Sequence, residues 1–104
     1  YQVARASWIG DYADPQTFLD VFYDSANDAQ YHSEAYNALI ERIHNTTDVK
    51  LRNELMHEAE AMIFDDTVVM PIYFTTTPYV ARDTVDGYYW SSLGTIEFKH
   101  AFRK

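Results

Sequence analysis

Two amphipathic helical segments, separated by a short polar break, constrain the fold of this chain more than any other feature. The first segment has apolar residues at positions i, i+3, i+4 and i+7, which is the spacing of one helix face. These residues are Tyr36, Leu39, Ile40 and Ile43. Ser33 is the expected N-cap, and the helix is predicted to run to about residue 45.

The second segment is predicted to begin near Asp48, after the break at residues 45–48, and to end near Asp65. Its expected buried residues are Leu51, Leu55, Ala59, Met62 and Ile63, and its expected solvated residues are Arg52, Glu54, Glu58 and Glu60. Two helices joined by a short turn predict an antiparallel hairpin. We interpret this hairpin as scaffold and not as a binding site.

The remaining segments have mixed strand and turn character. Residues 2–8 lack clean alternation, but Val3 and Trp8 suit a strand that Gly10 ends. Asp14-Pro15 is typical of an N-cap followed by the first residue of a helix, here predicted over residues 15–23 with Phe18, Leu19 and Phe22 on its apolar face.

The C-terminal part is predicted to contain three further short strands. Residues 67–74 are rich in β-branched and aromatic side chains, and Pro71 within them implies a sheet edge or an irregularity. Residues 79–82 and 95–99 are weaker strand candidates, with a turn expected at Asp86-Gly87. Short strands plus a helical hairpin predict an α/β fold.

Composition excludes several functional classes. The formal charge of −8 argues against nucleic acid and anionic membranes as partners, because both require a basic surface. The chain has no cysteine, and no apolar run reaches the length of a membrane span. The four histidines lack the spacing of a metal site, and no nucleophile set is recognisable. We therefore expect no catalytic residues, no metal and no cofactor, and the chain is predicted not to be an enzyme.

Three candidate binding residues cluster at the predicted end of the first strand, namely Arg5, Trp8 and Asp11. Sheet proteins often bind ligands at strand ends. A cation, a large aromatic ring and a carboxylate can together hold something small, zwitterionic and partly apolar. Alternatives remain open: Asp11 can cap its own turn, Trp8 can pack in a core, and Arg5 can pair with an internal acid such as Asp11.

Several motifs, in this order and spacing, resemble one family. They are ARASWIGDYADP at residues 4–15 followed by Phe18-Leu19, then Tyr31-His32-Ser33, residues 48–55 and residues 68–74. This pattern resembles the C-terminal part of the oligopeptide- and dipeptide-binding proteins (extracellular solute-binding protein family 5), the extracytoplasmic receptors of ABC peptide importers. The resemblance implies a C-terminal part of a type II periplasmic-binding-protein-like fold. Residues 1–104 would then be a single segment of a larger two-lobed protein, with 1–74 mainly in one lobe and about 75–104 crossing back to the other.

The resemblance also implies roles for particular residues. Asp11 would anchor the α-amino group of a peptide, and the strand around Ser7 and Ile9 would pair with the peptide backbone. Trp8 and Arg5 would lie in the cleft, and Thr75 would line it where the chain changes lobe. Tyr73 could do the same, although core packing is the expectation we favour for it.

The implied partners are a peptide ligand and ABC permease subunits, and the implied location is extracytoplasmic, either periplasmic or on a cell-surface lipoprotein. Self-association of the isolated segment is expected, because apolar surface is left uncovered. Two alternatives stay open. One is a receptor of the same family for a nickel complex or an oligosaccharide, and the other is a standalone domain that mediates protein contacts through its aromatic C-terminal third.

Overall fold

The computed structural model describes residues 2–24, 27–91 and 93–104. The chain divides into two compact units. A helical unit comprises Asp14–Ile72, and a second unit combines the described residues up to Ala13 with Tyr73–Lys104. Helices lie in the first unit and short antiparallel strands in the second, so the predicted α/β class is confirmed.

The helical unit begins with a short helix α1 (Gln16–Leu19), which continues as a 3-10 turn (Asp20–Phe22). The side chain of Asp14 accepts a hydrogen bond from the Gln16 N–H (2.9 Å), as an acidic residue before a helix is expected to do. Of the three predicted apolar residues, Leu19 is buried, Phe22 is half-buried and Phe18 is exposed. The predicted helix is therefore present, but it is shorter than expected and buries a narrower face.

Helices α2 (Glu34–His44) and α3 (Val49–Asp65) pack against each other and form the predicted hairpin. Both predicted caps are confirmed. The Ser33 side chain accepts from the Tyr36 N–H (3.2 Å), and the Asp48 side chain accepts from the Leu51 N–H (2.8 Å). No helix among the described residues is long and apolar enough to span a membrane.

The core of the helical unit confirms the predicted face of α2 and corrects that of α3. Its buried residues are Leu19, Tyr36, Leu39, Ile40, Ile43, Leu55, Met56, Ala59 and Ile63. Leu51 was expected inside but is 46% exposed, and Met62 is only half-buried. The inward face of α3 is rotated toward Met56, and the partly buried Arg52 lies on this face in the first turn.

In the described part of the second unit, four two-residue strands pair as two nested antiparallel ladders. Strand β1 (Val85–Asp86) pairs with β4 (Phe102–Arg103), and β2 (Tyr89–Trp90) pairs with β3 (Ile96–Glu97). The predicted turn at Asp86-Gly87 is confirmed, since Gly87 has a φ of +77° and donates its N–H to the Asp86 carboxylate. Strand β3 lies within the predicted range 95–99.

Three other strand predictions are wrong. Residues 2–8, 67–74 and 79–82 belong to no strand. Their side chains suit a strand, but a strand also requires a neighbouring backbone to complete its ladder. No described residue supplies that neighbour to any of the three segments.

Candidate functional site

The segment that carries most of the predicted site residues is open to solvent. Residues 2–9 are all exposed, and Gly10 is half-buried. Between residues 2 and 10, no backbone N–H or C=O forms a hydrogen bond with the described part of the chain. Ser7 and Ile9, whose backbones were predicted to pair with a ligand, therefore keep these groups available for a partner strand.

The predicted cation and one predicted aromatic residue are brought together. The Arg5 Nη2 atom lies 3.5 Å from the Tyr73 hydroxyl oxygen, at the outer limit of hydrogen-bond distance, although the two residues are 68 positions apart. Both side chains are exposed. The contact places residues 2–13 beside the chain segment that begins at Tyr73, within one compact unit.

Core packing, which was an open alternative for Trp8 and the favoured expectation for Tyr73, is wrong for both residues in this structure. Trp8 is 48% exposed and Tyr73 is 67% exposed, so neither ring is part of a core. An exposed indole and an exposed phenol are instead accessible to a ligand. Thr75 is exposed as well, on the same unit as Tyr73.

The predicted anchor, Asp11, has an exposed side chain. It lies within a bend that follows the open segment and precedes Asp14. A carboxylate at this position is accessible to an approaching cation. The anchoring role that the family resemblance implies for Asp11 stays a prediction.

Sequence reasoning missed the main polar contact of the helical unit. Arg52 donates from Nη1 to one Asp14 oxygen and from Nη2 to the other, both at 2.9 Å, and also contacts the Gln16 side chain. The hydrogen bonds from Arg52 and from the Gln16 N–H hold the pKa of Asp14 below its usual value. Arg52 was expected to be solvated. Its helical spacing aligns it with Leu55, Met56 and Ala59, and this alignment could have identified it as a residue of the inward face of α3.

An aromatic cluster lies in the second unit. The Tyr79 ring meets Tyr88 edge-on (centroids 6.2 Å apart) and lies 5.1 Å from the Trp90 ring. Burial and the neighbouring Tyr79 raise the pKa of the Tyr88 hydroxyl. The pocket beside the cluster has a volume of about 290 Å³ and is lined by Tyr79, Val80, Ala81, Arg82, Val85, Tyr88, Ile96 and Phe98. The Trp90 indole N–H is buried, with no hydrogen-bond partner among the described residues.

Acidic and histidine side chains form pairs in the described part of the chain, but no group of three or more that could hold a metal ion. His44 Nε2 lies 3.0 Å from Asp20 Oδ1, and the exposed His57 lies 3.6 Å from Glu60. The His44 ring also meets Tyr23 edge-on at 5.8 Å. We interpret them as surface pairs. The His44–Asp20 pair joins α2 to the 3-10 turn, and the His57–Glu60 pair lies within α3.

Comparison with known proteins identifies relatives over the whole chain. The oligopeptide-binding protein OppA of Bacillus subtilis is 33% identical over 107 residues, which cover 100% of this chain and 20% of the relative. The dipeptide-binding protein DppE of Bacillus subtilis is 32% identical over 103 residues, covering 97% and 19%. The periplasmic oligopeptide-binding protein OppA of Salmonella typhimurium is 34% identical over 90 residues, covering 85% and 17%.

No protein-family model matches the chain. The chain spans about a fifth of the length of the curated relatives that it matches. All three relatives are named as binding proteins, two for oligopeptides and one for dipeptides. The resemblance recognised in the sequence motifs is therefore confirmed: the chain is homologous, over its whole length, to a segment of the oligopeptide- and dipeptide-binding proteins.

Proposed function

We propose that this chain is part of a peptide-binding receptor of an ABC importer and that it holds the amino-terminal end of the bound peptide. The observation that carries the proposal is the whole-chain similarity to oligopeptide- and dipeptide-binding proteins, together with the exposed Asp11 that follows the open segment 2–10. The receptor binds its ligand and passes it to a membrane permease, and it makes or breaks no bond in the peptide.

Backbone pairing explains how such a receptor accepts many sequences. An extended peptide presents the same N–H and C=O groups whatever its side chains are, and a free strand edge can pair with them. Residues 7–9 have backbone groups that make no hydrogen bond to the described chain. In the proposed complex the peptide becomes the neighbouring strand that this segment otherwise lacks.

Asp11 sets the register of the peptide. The α-ammonium group is the one charged feature that all unmodified peptides share at their first residue. A carboxylate that accepts hydrogen bonds from this group contributes about 1.5–3 kcal/mol, more than a neutral hydrogen bond does. Trp8, Arg5 and Thr75 then supply the surrounding wall, with the Arg5–Tyr73 contact bringing the wall residues on two chain segments together.

The wider architecture belongs to the same proposal. The parent is a two-lobed receptor of the type II periplasmic-binding kind, with residues 1–74 mainly in one lobe and the chain crossing to the other from about residue 75. Closure of the lobes about a hinge would enclose the peptide. Its location is extracytoplasmic, which is supported by the Salmonella relative being named as periplasmic.

The decisive experiment is calorimetric titration of the complete receptor with a tripeptide and with its N-acetylated form. Acetylation removes the positive charge and leaves the peptide backbone unchanged. We expect acetylation to lower the affinity about ten- to hundredfold, because this factor corresponds to the free energy of the charge-assisted contact. The Asp11→Asn variant should bind the free peptide with a similar loss and should no longer distinguish the two peptides.

Asp65→Asn is the matched control, because it makes the same change at an exposed carboxylate near the end of α3. It should bind both peptides as the wild type does. Equal affinity of the wild type for the free and acetylated peptides would refute the anchoring role of Asp11. Binding of a nickel complex or an oligosaccharide, with no binding of peptides, would refute the peptide assignment itself.

A further inference from the structure

Asp14 is held in place at both its side chain and its backbone. Its two carboxylate oxygens accept hydrogen bonds from Arg52, and Oδ1 also accepts the Gln16 N–H, all at 2.9 Å. Its backbone C=O accepts the N–H of the buried Thr17 at 3.3 Å. Pro15, the next residue, has the restricted φ of proline, here −57°. Asp14 therefore has little freedom to move, although it lies outside the core.

The partner of Asp14 is itself held by further contacts. Arg52 lies in the first turn of α3, and its Nη2 atom also donates a hydrogen bond to the side-chain oxygen of Gln16. The side-chain amide of Gln16 in turn donates to Asp20 at 3.1 Å. Arg52 is thus the centre of a polar network that connects the beginning of α1 to α3.

Asp11, the proposed anchor, is three residues before Asp14, and both belong to one bend that covers residues 11–14. A chain of three residues separates their Cα atoms by at most about 11 Å. Whatever fixes Asp14 therefore limits the positions that the Asp11 carboxylate can take. This limit matters for binding, because a hydrogen bond weakens steeply when its distance or angle departs from the best values.

We propose that Arg52 is a positioning residue for peptide recognition, which acts through Asp14 to place Asp11 and makes no contact with the peptide. The inference rests on the proposed role of Asp11 as the anchor of the peptide α-amino group. A binding group must be held within about 0.5 Å of its productive position by residues that support it. The Asp14–Arg52 pair is a support of this kind.

Arg52 also removes a competitor of Asp11. Two carboxylates in one bend would both attract an ammonium group, and the first residue of a peptide could then bind in more than one position. The guanidinium group of Arg52 pairs with both oxygens of Asp14 and compensates its charge. Asp14 is thereby already paired when the peptide arrives, so that a single register is favoured.

Calorimetric titration of the complete receptor with a tripeptide and with its N-acetylated form tests the inference. The readout is the ratio of the two dissociation constants, because a smaller fraction of folded receptor changes both titrations equally and leaves this ratio unchanged. Arg52→Lys keeps the charge but cannot form the bidentate pair. We expect it to lower the preference for the free peptide by about three- to tenfold relative to the wild type.

Two control variants separate positioning from stability. Arg42→Lys makes the same substitution at an exposed arginine of α2. Tyr36→Phe removes a hydrogen bond inside the core of the same helical unit. Both variants should keep the wild-type ratio. Circular dichroism at 222 nm will establish that every variant retains its helices.

A double-mutant cycle tests whether Arg52 acts through Asp11. In the Asp11→Asn receptor, which has already lost the anchor, Arg52→Lys should cause no further loss of affinity for the free peptide. Equal losses in the two backgrounds would overturn the inference.

The failure of this inference differs from the failure of the proposed function. A wild type that prefers the free peptide, together with an Arg52→Lys variant that keeps the full preference, would overturn the role of Arg52 and leave the role of Asp11 intact. A wild type without any preference would refute the anchor, and the role of Arg52 with it.

Discussion

Asp14 and Arg52 join the start of α1 to the first turn of α3 through a bidentate ion pair, with both nitrogen–oxygen distances at 2.9 Å. The side chains are only 32% and 22% exposed, so water competes weakly for either group. Planar guanidinium and carboxylate groups match each other in this geometry, which a lysine cannot reproduce. The pair therefore fixes where the chain enters the helical unit.

Replacement of Arg52 by lysine should lower the free energy of unfolding of the helical unit by about 1–2 kcal/mol, because one charged hydrogen bond is lost and the other is weakened. Urea unfolding followed by circular dichroism at 222 nm measures the effect. Lys50→Ala is the control, since Lys50 is exposed and lies 3.9 Å from Glu54. It should change stability by less than about 0.5 kcal/mol. Equal effects of the two substitutions would contradict the assignment.

The stability that the pair contributes should disappear in acid. Because the folded-state pKa of Asp14 lies below the ordinary value of 3.8, the contribution is complete above that value. It is lost as the pH falls through the lower pKa of the folded protein. The difference in unfolding free energy between wild type and Asp14→Asn should stay constant near neutral pH and shrink below about pH 4. A difference that grows in acid would contradict the predicted lowering of the Asp14 pKa in the folded protein.

Removal of the Tyr36 hydroxyl should cost about 1 kcal/mol, because it donates a hydrogen bond to the Leu19 carbonyl at 2.8 Å inside the core. Burial also raises the pKa of Tyr36, so its contribution is present below pH 10 and is lost as the pH rises further. Chemical unfolding of Tyr36→Phe at neutral pH tests the first statement. Tyr73→Phe is the control, since that hydroxyl is exposed and its contact is long.

Two glycines with the same backbone φ allow the cost of a positive φ to be separated from the cost of a steric clash. Gly87 and Gly94 both have a φ of +77°, so alanine at either position costs about 1–2 kcal/mol. A Cβ atom at Gly87 would also lie 2.1 Å from the His100 carbonyl oxygen, while one at Gly94 would meet nothing within 4 Å. Gly87→Ala should therefore destabilise the second unit far more than Gly94→Ala. Thermal melting followed by near-ultraviolet circular dichroism can rank the two variants, and equal melting temperatures would contradict the steric argument.

Local rules predicted the helical hairpin well. Ser33 and Asp48 cap α2 and α3 as expected, because a helix start depends on a few neighbouring residues. The inward face of α2 was also correct. The face of α3 was misplaced because Arg52 turns inward to meet Asp14, a partner 38 positions away that periodicity cannot reveal.

The strands and the candidate site could be predicted less completely. Residues 2–8 and 67–74 have suitable side chains, but a ladder depends on a second backbone that these residues do not specify themselves. The sequence indicated Asp11, Arg5 and Trp8 as binding residues; all three are exposed, and their binding roles stay predictions. It gave no distances, and it did not foresee that Tyr73 would lie beside Arg5 and outside any core.

Among the described residues, the nine core side chains of the helical unit all lie between Leu19 and Ile63. Every contact in that core therefore closes a loop of modest length, a condition that favours fast folding. During synthesis, this core can assemble as soon as Ile63 has left the ribosome, before the strands of the second unit have been translated. The later residue Val68 then packs onto a core that has already formed.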